Sequence, residues 1–348
     1  MAQKSFKPFS LKQLSAAVGL SQSTVSRIIN GEADKYRIAR ETQQRVLAAA
    51  AKHGYAANTV ARSLRLKRTH TIGVIVPEIS EGYSTAVLGG IEDELLKDGF
   101  FYFVVSHRHR PDLLEGHPRM MLARAVEGII AVDTPLEEEL PIPVVSVSGH
   151  KHREGVINIE LDHDQAAHQA LAHLKSLGHK RIAFIKGQTL SSDTSRRWQA
   201  IVNAARTLEI EIDPQLVVQL LSLEPGPGPG LEVTRALLQA HRPFTAIFAF
   251  NDLTAVGAIL ALREAGLRVP KDVSVVGFDD VLAASTNSPP LTTIHQPLRS
   301  MGQAAASTLL KLIRDEIPHP HPSTLTVYPK LIVRKSTGHA SAEQVAYF

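Results

Sequence analysis

The sequence predicts a small all-α head joined to an α/β core made of two doubly wound parallel sheets. Charge divides along the chain: residues 1–70 contain 13 Lys and Arg against 3 Asp and Glu, whereas residues 71–348 contain the other 25 basic and 31 acidic residues. The apolar pattern also changes at about residue 71, from helical spacing to short β-rich runs that alternate with helices. A length of 348 residues fits about two to three domains.

Three short helices are expected in the head, within residues 10–54. Ser10 can cap the first helix and Gly19 can end it in the left-handed conformation. Ser21 can cap the second helix, and the third ends at Gly54. Apolar residues at helical spacing would form the core of the head: Leu11, Leu14, Val18, Val25, Ile28, Ile29, Val46, Ala49 and Ala50.

Two short helices with a glycine at the corner are typical of the helix-turn-helix motif. The first residues of its second helix face base edges in the major groove of DNA. Here these residues are Gln22 and Ser23, with Arg27 one turn further on. Gln can pair with adenine, Arg with guanine and Ser with several bases. The basic charge of the head favours this interpretation over a helix hairpin with a merely polar face.

The core contains two series of short apolar runs separated by helical segments. The first series is "TIGVIV", "FYFVVS", "GIIAV" and "IPVVSV", and the second is "RIAFIK", "LVVQLL", "AIFAF" and "VSVVGF". Runs that are apolar on both faces and joined by helices indicate parallel sheets. Two series imply two lobes, and we expect the chain to cross between them near residues 160, 290 and 323. A ligand between the lobes could therefore govern their relative rotation.

Polar side chains follow several of these runs, where loops leave the carboxyl ends of the strands and ligands are expected. They include carboxylates, an amide and a guanidinium group, which fit a ligand rich in hydroxyls or carrying an anion. The candidates are Tyr83, Asp162, Arg197, Asn251, Asp252, Asp279 and Asp280. Asp252 and Asp280 are expected to cap the helices that follow them rather than to contact a ligand.

Several other classes of function lack their sequence signals. The chain has no uninterrupted apolar run of ~18 residues for a membrane span, no cysteine, and no Gly-rich phosphate loop or nucleophile elbow for an enzyme. The histidines of "SHRHR", "SGHKH" and "HPHPHP" have no obvious third ligand at short spacing. We therefore expect them to be polar side chains at the surface rather than ligands of a metal ion. We expect a cytoplasmic protein, associated with the nucleoid, without catalytic residues, metal or cofactor.

Longer motifs occur in order along about residues 9–335: "LSQSTVSRIING", "HGYAANTVARSLR", "IGVIVPEI", "LGHKRIAFIKG", "FAFNDLTAVGAILALREAGLRVPKDVSVVGFDD" and "PPLTTIHQP". With these motifs the sequence resembles the LacI/GalR (lactose-repressor) family of bacterial transcription regulators. The resemblance implies a helix-turn-helix head, a hinge helix and a two-lobed, periplasmic-binding-protein-like core. Such a core binds a small-molecule effector and dimerises.

We expect a DNA-binding domain at residues 1–57, a hinge at 58–70, an effector-binding and dimerisation core at 71–335 and a tail at 336–348. Lobe 1 would comprise residues 71–160 and 291–322, and lobe 2 residues 161–290 and 323–335. The tail "STGHASAEQVAYF" has no apolar heptad run, so a homodimer is expected rather than a coiled-coil tetramer.

The resemblance also implies roles for individual residues. Gln22, Ser23 and Arg27 match the base-reading positions, and Thr24 and Ser26 match positions that contact phosphates. Further DNA-backbone contacts are expected from Asn30, Tyr36 and Arg37, the last two because the "YR" pair in a long loop resembles fructose- and sucrose-repressor heads. Effector contacts are expected from Tyr83, Asp162, Arg197, Asn251 and Asp279.

The connector after the head is basic, and it contains an isolated leucine, Leu64. It can form a short helix capped by Asn58, with Ala61, Leu64 and Arg65 on one face. This helix is too short to be stable alone in water, so we expect it to form on DNA beside its dimer mate. Leu64 matches the family's hinge leucine, and apolar side chains inserted from the minor groove kink DNA. The alternative is that Leu64 packs on its own lobe.

The sequence therefore predicts a repressor that binds a palindromic operator as a dimer. A small-molecule effector, a sugar or sugar derivative, would switch it from the inter-lobe cleft. Two other classes compete with this function. A solute-binding protein would need a secretion signal and no DNA-reading head, and an architectural DNA protein would not need a polar-lined cleft.

Overall fold

The computed structural model describes residues 9–55, 68–80, 82–149, 153–318 and 323–340. The chain divides into two compact units, residues 1–69 and residues 70–348. We call them the head and the core, and each is described by itself. No helix within the described ranges is long and apolar enough to cross a membrane.

The head is a helix-turn-helix followed by a third helix, as predicted. Ser10 caps the first helix in a reciprocal capping box with Gln13, and Gly19 ends it with a φ of 68°. Ser21 caps the second helix. The helices are α1 (Leu11–Val18), α2 (Gln22–Ile29) and α3 (Arg40–Lys52).

One fully buried side chain from each helix forms the centre of the head. Leu14 of α1, Val25 of α2 and Val46 of α3 are all 0% exposed. Each contributes about 1.5–3 kcal/mol by burial. Ala33, from the loop between α2 and α3, is also buried against this cluster, so the loop is attached to the core of the head.

The first sheet of the core is parallel throughout its described pairs. Its strands are β1 (Thr71–Val76), β2 (Phe101–Ser106), β3 (Gly128–Val132), β4 (Val144–Val147), β5 (Val156–Leu161) and β11 (Ser323–Val327). The order across the sheet is β11-β5-β4-β3-β1-β2. The helices of this lobe are α4 (Gly82–Lys97), α5 (Pro111–Ala123) and α11 (Leu298–Ile313).

The second sheet is parallel except for β12, which pairs antiparallel with β10. Its strands are β6 (Ile182–Lys186), β7 (Val217–Gln219), β8 (Ala246–Ala249), β9 (Ser274–Asp279), β10 (Thr292–His295) and β12 (Lys330–Ile332). The order is β12-β10-β9-β8-β6-β7. The helices are α6 (His163–Ser176), α7 (Ser192–Thr207), α8 (Gly228–Gln239), α9 (Asp252–Glu264) and α10 (Leu282–Thr286).

Burial along the central strands explains their sequences. Every residue of β3, β4, β8 and β9 is buried. Strands buried on both faces need continuous apolar runs, because helices cover the sheet on each side. The predicted fold class, a helical head with two doubly wound sheets, is therefore confirmed.

Two of the expected crossover positions, near residues 290 and 323, are wrong. β10 belongs to the second sheet and β11 to the first, so the chain crosses at residues 296–297 and again at 328–329, besides the crossing near Asp162. The physical reason is strand pairing, because β10 pairs with β9 of the second sheet and β11 with β5 of the first. Helix α11, which lies between these strands in the sequence, belongs to the first lobe, as expected. It packs against α4, and Gly90 and Gly302 allow the two helix backbones to touch.

Candidate functional site

The N-terminal end of α2 carries two of the predicted base-reading residues, Gln22 and Ser23, and both are exposed. The hydroxyl of Ser21, which caps the helix, lies 3.0 Å from the Ser23 hydroxyl and 2.9 Å from the Thr24 hydroxyl. The polar side chains at this end therefore form one connected group around the helix N-terminus. A helix N-terminus is itself favourable for a phosphate group.

The C-terminal end of α2 carries two predicted DNA-backbone contacts, Ser26 and Asn30. The Asn30 amide donates hydrogen bonds to the Ser26 carbonyl at 2.7 Å and to the Ser26 hydroxyl at 3.1 Å. The two side chains therefore lie together, one turn apart, at the opposite end of the helix from Gln22.

The third predicted base reader, Arg27, lies against the loop between α2 and α3. Its guanidinium carbon is 3.7 Å from the centre of the Tyr36 ring. Arg37, the next residue, is exposed and has a left-handed φ of 51°. The structure thus brings a predicted base reader and a predicted backbone contact into direct contact with each other.

The hinge residues Asn58, Ala61, Leu64 and Arg65 lie outside the described residues. The description of the head ends at Tyr55, and the chain is described again from Arg68. The hinge helix and the role of Leu64 therefore stay predictions.

The core contains a cleft of about 880 Å³ between its two lobes. Residues that follow β1, β2 and β3 line it from the first lobe, and residues that follow β6, β7, β8 and β9 line it from the second. The cleft thus lies where the carboxyl ends of both sheets meet, which is the position at which open α/β sheets bind ligands.

Arg197, on α7, is the central charged group of the cleft and is only 5% exposed. Its guanidinium group donates hydrogen bonds to the Phe250 carbonyl at 2.7 Å, to Asp193 at 2.7 Å and to Asp279 at 3.3 Å. It also lies over the Phe278 ring, 3.9 Å from its centre. Burial alone lowers the pKa of Arg197, but the two carboxylates raise it above its ordinary value, so the group stays charged.

Asp193 belongs to this cluster and was not predicted from the sequence. It is 3% exposed and lies one helical turn before Arg197. The sequence did contain a signal, because an acidic and a basic residue four apart on a helix face each other. The cluster reaches two of the three lobe crossovers. His163 Nε2 lies 3.5 Å from Asp193, and the Gln296 amide donates to Asp279 at 2.6 Å.

Tyr83, one of the predicted effector contacts, lines the cleft from the first lobe. Its hydroxyl donates a hydrogen bond to the Ser148 hydroxyl at 2.8 Å. Burial, followed by the nearby Asp193 and Asp133, raises the pKa of Tyr83 well above its ordinary value. Tyr83 therefore stays neutral at physiological pH and can offer a phenol oxygen to a ligand.

A second contact that the sequence did not predict joins the two lobes. Asp133, which follows β3, accepts hydrogen bonds from the Ser191 hydroxyl at 3.0 Å and from the Ser192 hydroxyl at 2.8 Å. The Ser192 hydroxyl also lies 2.8 Å from the Ser148 carbonyl, which is in the first lobe. Because Ser191 and Ser192 begin α7, the Asp133 carboxylate is also stabilised by the helix dipole.

Several non-glycine residues around the cleft have a strained, left-handed backbone conformation. Asp133, Ser148, Asp279 and Asp280 have left-handed φ values of 38°, 56°, 107° and 60°. Residues other than glycine rarely adopt this conformation, and it persists where surrounding structure imposes it, often at functional sites. Arg108 and His109, which line the cleft, share this conformation, with φ values of 50° and 55°. Residues that follow helices elsewhere in the core, such as Ala125 and Glu209, also adopt it, so the conformation is not confined to the cleft.

The prediction that Asp252 caps α9 is wrong, because the cap is Asn251. Asn251 also lines the cleft. Asp252 is fully buried and accepts hydrogen bonds from the Thr293 hydroxyl at 2.5 Å and the Val281 backbone at 2.8 Å. Burial, followed by the neighbouring Asp279, raises the pKa of Asp252 well above its ordinary value.

Two other expectations need correction. Among the described residues that line the cleft, Asp162 is absent; its carboxylate instead caps α6 by accepting from the Gln165 backbone at 2.9 Å.

Asp280 does not cap a helix but pairs with Arg334 at 2.6 Å and His295 at 3.0 Å. The expected effector-contacting residues that do line the cleft are Tyr83, Arg197, Asn251 and Asp279.

The described lining of the cleft is acidic. It contains five carboxylates and two guanidinium groups: Glu78, Asp133, Asp193, Glu224 and Asp279 against Arg108 and Arg197. His109 also lines it, but burial lowers the pKa of His109 and favours its neutral form. The cleft therefore presents a net negative charge to a ligand.

The "SHRHR" histidines lie at the end of β2. His107 is buried, and burial together with His109 lowers the pKa of His107 to about 4. Its ring lies edge-on to that of His109, with 5.3 Å between the ring centres. Within the described ranges, no group of three or more His, Cys, Asp or Glu side chains could hold a metal ion.

Comparison with known proteins gives matches for both units of the chain. The model of the bacterial regulatory proteins of the lacI family matches residues 10–58. The model of the periplasmic binding protein-like domain matches residues 171–337. The HTH-type transcriptional repressor PurR of Haemophilus influenzae is 32% identical over 339 residues, which cover 94% of this chain and 98% of the relative.

Solved structures agree with these matches. A structure of the lac repressor dimer bound to operator and the anti-inducer ONPF has a TM-score of 0.81 at 26% identity, covering 95% of this chain and 100% of that one. A complex of the transcriptional regulator CelR with cellobiose has a TM-score of 0.69 at 27% identity, with the same coverage.

A helix-turn-helix head and a two-lobed core with a ligand cleft define a class of DNA-binding regulators that carry an effector-binding domain. Within that class, the chain belongs to the LacI family of bacterial transcription regulators. It is a DNA-binding transcriptional repressor and not an enzyme. The resemblance in the sequence is thereby confirmed.

Proposed function

We propose that the chain binds a near-palindromic operator as a homodimer and is switched by a small, uncharged, hydroxyl-rich effector in the inter-lobe cleft. A sugar or an uncharged sugar derivative has this chemistry. The observation that carries the proposal is an acidic, hydrogen-bonding cleft in the same chain as a helix-turn-helix head. This function belongs in the cytoplasm, at the nucleoid.

The charges of the cleft favour an uncharged effector. The guanidinium group of Arg197 already lies between two carboxylates, Asp193 and Asp279. A phosphate or a uronate would therefore approach a site whose net charge repels it. Sugar hydroxyls can instead donate to the carboxylates and to the Tyr83 phenol oxygen, and can accept from the Asn251 amide. A LacI-family regulator from Enterococcus faecium, solved with bound ribose, is similar to this chain with a TM-score of 0.67 at 27% identity.

The proposed DNA contacts follow from the geometry of α2. Its N-terminal end would enter the major groove, with Gln22, Ser23 and Arg27 at base edges. The DNA backbone would be contacted by Thr24, Ser26, Asn30 and Arg37. The hinge helix, with Asn58, Ala61, Leu64 and Arg65, would occupy the minor groove. One head reads few base pairs, so a two-fold dimer would read two related half-sites.

The switch would operate through the lobes. An effector that binds both lobes stabilises one relative orientation of them, and this orientation sets the separation of the two hinges in the dimer. Effector binding and DNA binding are then coupled, and the coupling must be equal in both directions. Operator DNA should therefore change effector affinity by the same factor as the effector changes operator affinity.

A thermal-shift panel at pH 7 tests the class of effector. It would contain uncharged mono- and disaccharides, amino sugars, sugar phosphates, uronates and nucleosides. A ligand present at about 100 times its Kd stabilises the folded chain by about 2.7 kcal/mol, so an uncharged sugar should raise the Tm. Asp279→Ala should lose this shift. Glu264→Ala, which removes an exposed carboxylate paired with Arg235, should keep it.

Three results would each contradict a different part of the proposal: the class of effector, the position of its site, or the switch. A Tm shift with sugar phosphates or uronates, and none with uncharged sugars, would contradict the effector class. A shift that survives in Asp279→Ala would place the effector outside the cleft. Equal operator affinity with and without the effector would refute the switch while leaving the effector site intact.

A further inference from the structure

The contact between Arg27 and Tyr36 lies on the DNA-facing side of the head as proposed above. Arg27 is in the last turn of α2, and Tyr36 is in the loop before α3 and is 43% exposed. The distance of 3.7 Å from the guanidinium carbon to the ring centre corresponds to a guanidinium plane in van der Waals contact with the ring. Cation–π attraction stabilises such a pair.

The loop that carries Tyr36 is held in place by hydrogen bonds. The Tyr36 backbone donates to the Ala33 carbonyl at 3.2 Å, and the Arg37 backbone donates to the Asp34 carbonyl at 3.0 Å. The Gln43 amide, from α3, donates to the Asp34 carboxylate at 3.1 Å. Ala33 is buried in the core of the head. Tyr36 is therefore a fixed platform rather than a free surface side chain.

The Tyr36 ring contacts the face of the Arg27 guanidinium group, so the edge of that group stays available for hydrogen bonds. The N–H donors of arginine lie in the guanidinium plane, and a guanine accepts two of them through O6 and N7. Within the described part of the chain, no carboxylate forms an ion pair with Arg27. The ring of Tyr36 thus restricts the orientation of Arg27 without competing for the atoms that read a base.

We propose that Tyr36 is a positioning residue that holds Arg27 for one guanine in each operator half-site and so sets specificity at that base pair. This inference rests on the proposed DNA contacts of α2. It assigns Tyr36 a role different from the phosphate contact expected from the sequence. Holding a long side chain in its binding orientation lowers the entropy lost on binding, and the benefit is lost when the base is not a guanine.

The test uses the full-length chain and a duplex that the wild type selects from a randomised palindromic library. Affinity is measured on this duplex and on duplexes in which each base pair is changed singly. The variants are Tyr36→Phe, which keeps the ring, Tyr36→Leu, which removes it, and Arg27→Ala. Arg37→Ala is the matched control, because Arg37 is adjacent, exposed and basic but is not the residue stacked on Tyr36.

The expected result is specific to one base pair. Tyr36→Leu should lower discrimination at the Arg27 guanine by about two- to fivefold, as expected for an exposed cation–π pair, and leave the other base pairs unchanged. Tyr36→Phe should behave like the wild type. In the Arg27→Ala background, Tyr36→Leu should have no further effect. Arg37→Ala should weaken all duplexes equally and reduce their salt dependence by about one phosphate contact.

Three results would overturn the inference. In the first, Tyr36→Phe loses as much affinity as Tyr36→Leu, evenly across all duplexes, which is the behaviour of a phenol that contacts a phosphate. In the second, Tyr36→Leu and Arg27→Ala act additively. In the third, the selected operator has no guanine whose recognition depends on Arg27. If the wild type selects no common sequence at all, the proposed DNA function fails as well, so the two failures are distinguishable.

Discussion

At the scale of single residues, the core is organised around a buried cluster in which carboxylates outnumber the arginine. Arg197 lies between Asp193 and Asp279, and the side chains of all three are at most 6% exposed. Buried charges are tolerated when they are paired, and removal of one partner leaves the others uncompensated. The cluster therefore ties the stability of the second lobe to the same groups that line the effector cleft.

Arg197→Met should destabilise the core by about 3–5 kcal/mol, because it leaves two buried carboxylates without their guanidinium group. Urea unfolding followed by circular dichroism would measure the change. Arg235→Met is the control. Arg235 pairs with Glu264, and both side chains are 51% exposed. Arg235→Met should therefore lower the free energy of unfolding by about 1 kcal/mol or less. Similar losses in the two variants would contradict a structural role for the buried cluster.

Asp252 should produce a pH dependence of stability. Its pKa in the folded chain is raised, so the folded state binds the proton more tightly than the unfolded state does. The stability that protonated Asp252 contributes is therefore present at low pH and is lost as pH rises through the folded-state pKa. The free energy of unfolding falls by at most about 1.4 kcal/mol per pH unit for one group. An asparagine at this position does not titrate. The free energy of unfolding of Asp252→Asn, relative to that of wild type, should therefore increase from pH 4 to pH 7.

Asp112→Asn is the control for this measurement. Arg110 holds the pKa of the exposed Asp112 below its ordinary value, so wild type should gain stability relative to that variant as pH rises. The two variants should therefore differ in the sign of their pH trend. A trend of the same sign in both would show that Asp252 is ionised without penalty in the folded chain.

The sequence predicted part of the cleft at this scale. Tyr83, Asn251 and Asp279 lie at strand ends or helix starts, and Arg197 lies in the second turn of α7. Family resemblance supported all four. Asp193 was missed because "SSDTSRRW" is as polar as an exposed helix, although Asp193 and Arg197 are buried. Asp133 was missed because "DTP" after β3 is also the sequence of an ordinary turn. Burial between two lobes depends on residues distant in sequence, which no local pattern contains.

At the scale of elements, the start of α7 connects the two lobes. The Ser192 hydroxyl lies within hydrogen-bond distance of two first-lobe groups, the Asp133 carboxylate and the Ser148 carbonyl. Both groups are acceptors and the hydroxyl has one proton, so it donates to one of them at a time. Such a hydrogen bond contributes about 1 kcal/mol, or somewhat more when the acceptor is charged. These contacts therefore stabilise the arrangement of the lobes in this structure.

Ser192→Ala should shift the lobes toward a more open arrangement. It removes the hydroxyl contacts with Asp133 and the Ser148 carbonyl, while the bonds from the Ser192 backbone and the Ser191 hydroxyl to Asp133 remain. Ser192 is not among the described residues that line the cleft. Small-angle X-ray scattering without effector should show a larger radius of gyration. Ser176→Ala should not change it, because the Ser176 hydroxyl bonds only to its own helix at His173. An unchanged radius in Ser192→Ala would contradict the role of this contact.

The elements that the sequence failed to predict share a physical cause. The eight strands with continuous apolar runs were predicted, whereas β5, β10, β11 and β12 were not. β5 contains Asn158 and Glu160, β11 is almost fully exposed, and β12 has three residues. These strands are short or contain polar residues, as in "TTIH" of β10, so they lack the apolar run that signals a parallel strand. Position at a sheet edge does not explain the omissions, because the edge strands β2 and β7 were predicted. The crossover errors near 290 and 323 follow from these omissions.

At the scale of the whole molecule, the division of charge has a direct consequence for DNA binding. The first 70 residues contain 13 basic and 3 acidic residues, while the rest of the chain is net acidic. Phosphate neutralisation by the basic segment releases counterions, so affinity depends on salt. Effector binding to the core would involve no such release if the effector is uncharged.

Operator affinity should fall by about 10³- to 10⁵-fold between 50 and 200 mM salt, if a dimer makes about 6–10 phosphate contacts. Fluorescence anisotropy with the selected duplex would measure it. Calorimetric affinity for an uncharged effector should stay constant over the same range and serves as the internal control. Operator affinity that is insensitive to salt would contradict the assignment of the basic segment to DNA.

The distribution of strands also determines the order in which a newly made chain can fold. The head has all of its described helices once residue 52 has left the ribosome, and N-terminal domains generally fold first during synthesis. The first lobe begins at residue 70 but needs α11 and then β11, which ends at Val327, and the second lobe needs β12, which ends at Ile332. Both lobes are thus completed almost simultaneously, at the end of translation. A ribosome that stalls earlier releases a chain with a finished DNA-binding head and an unfinished, unresponsive sensor.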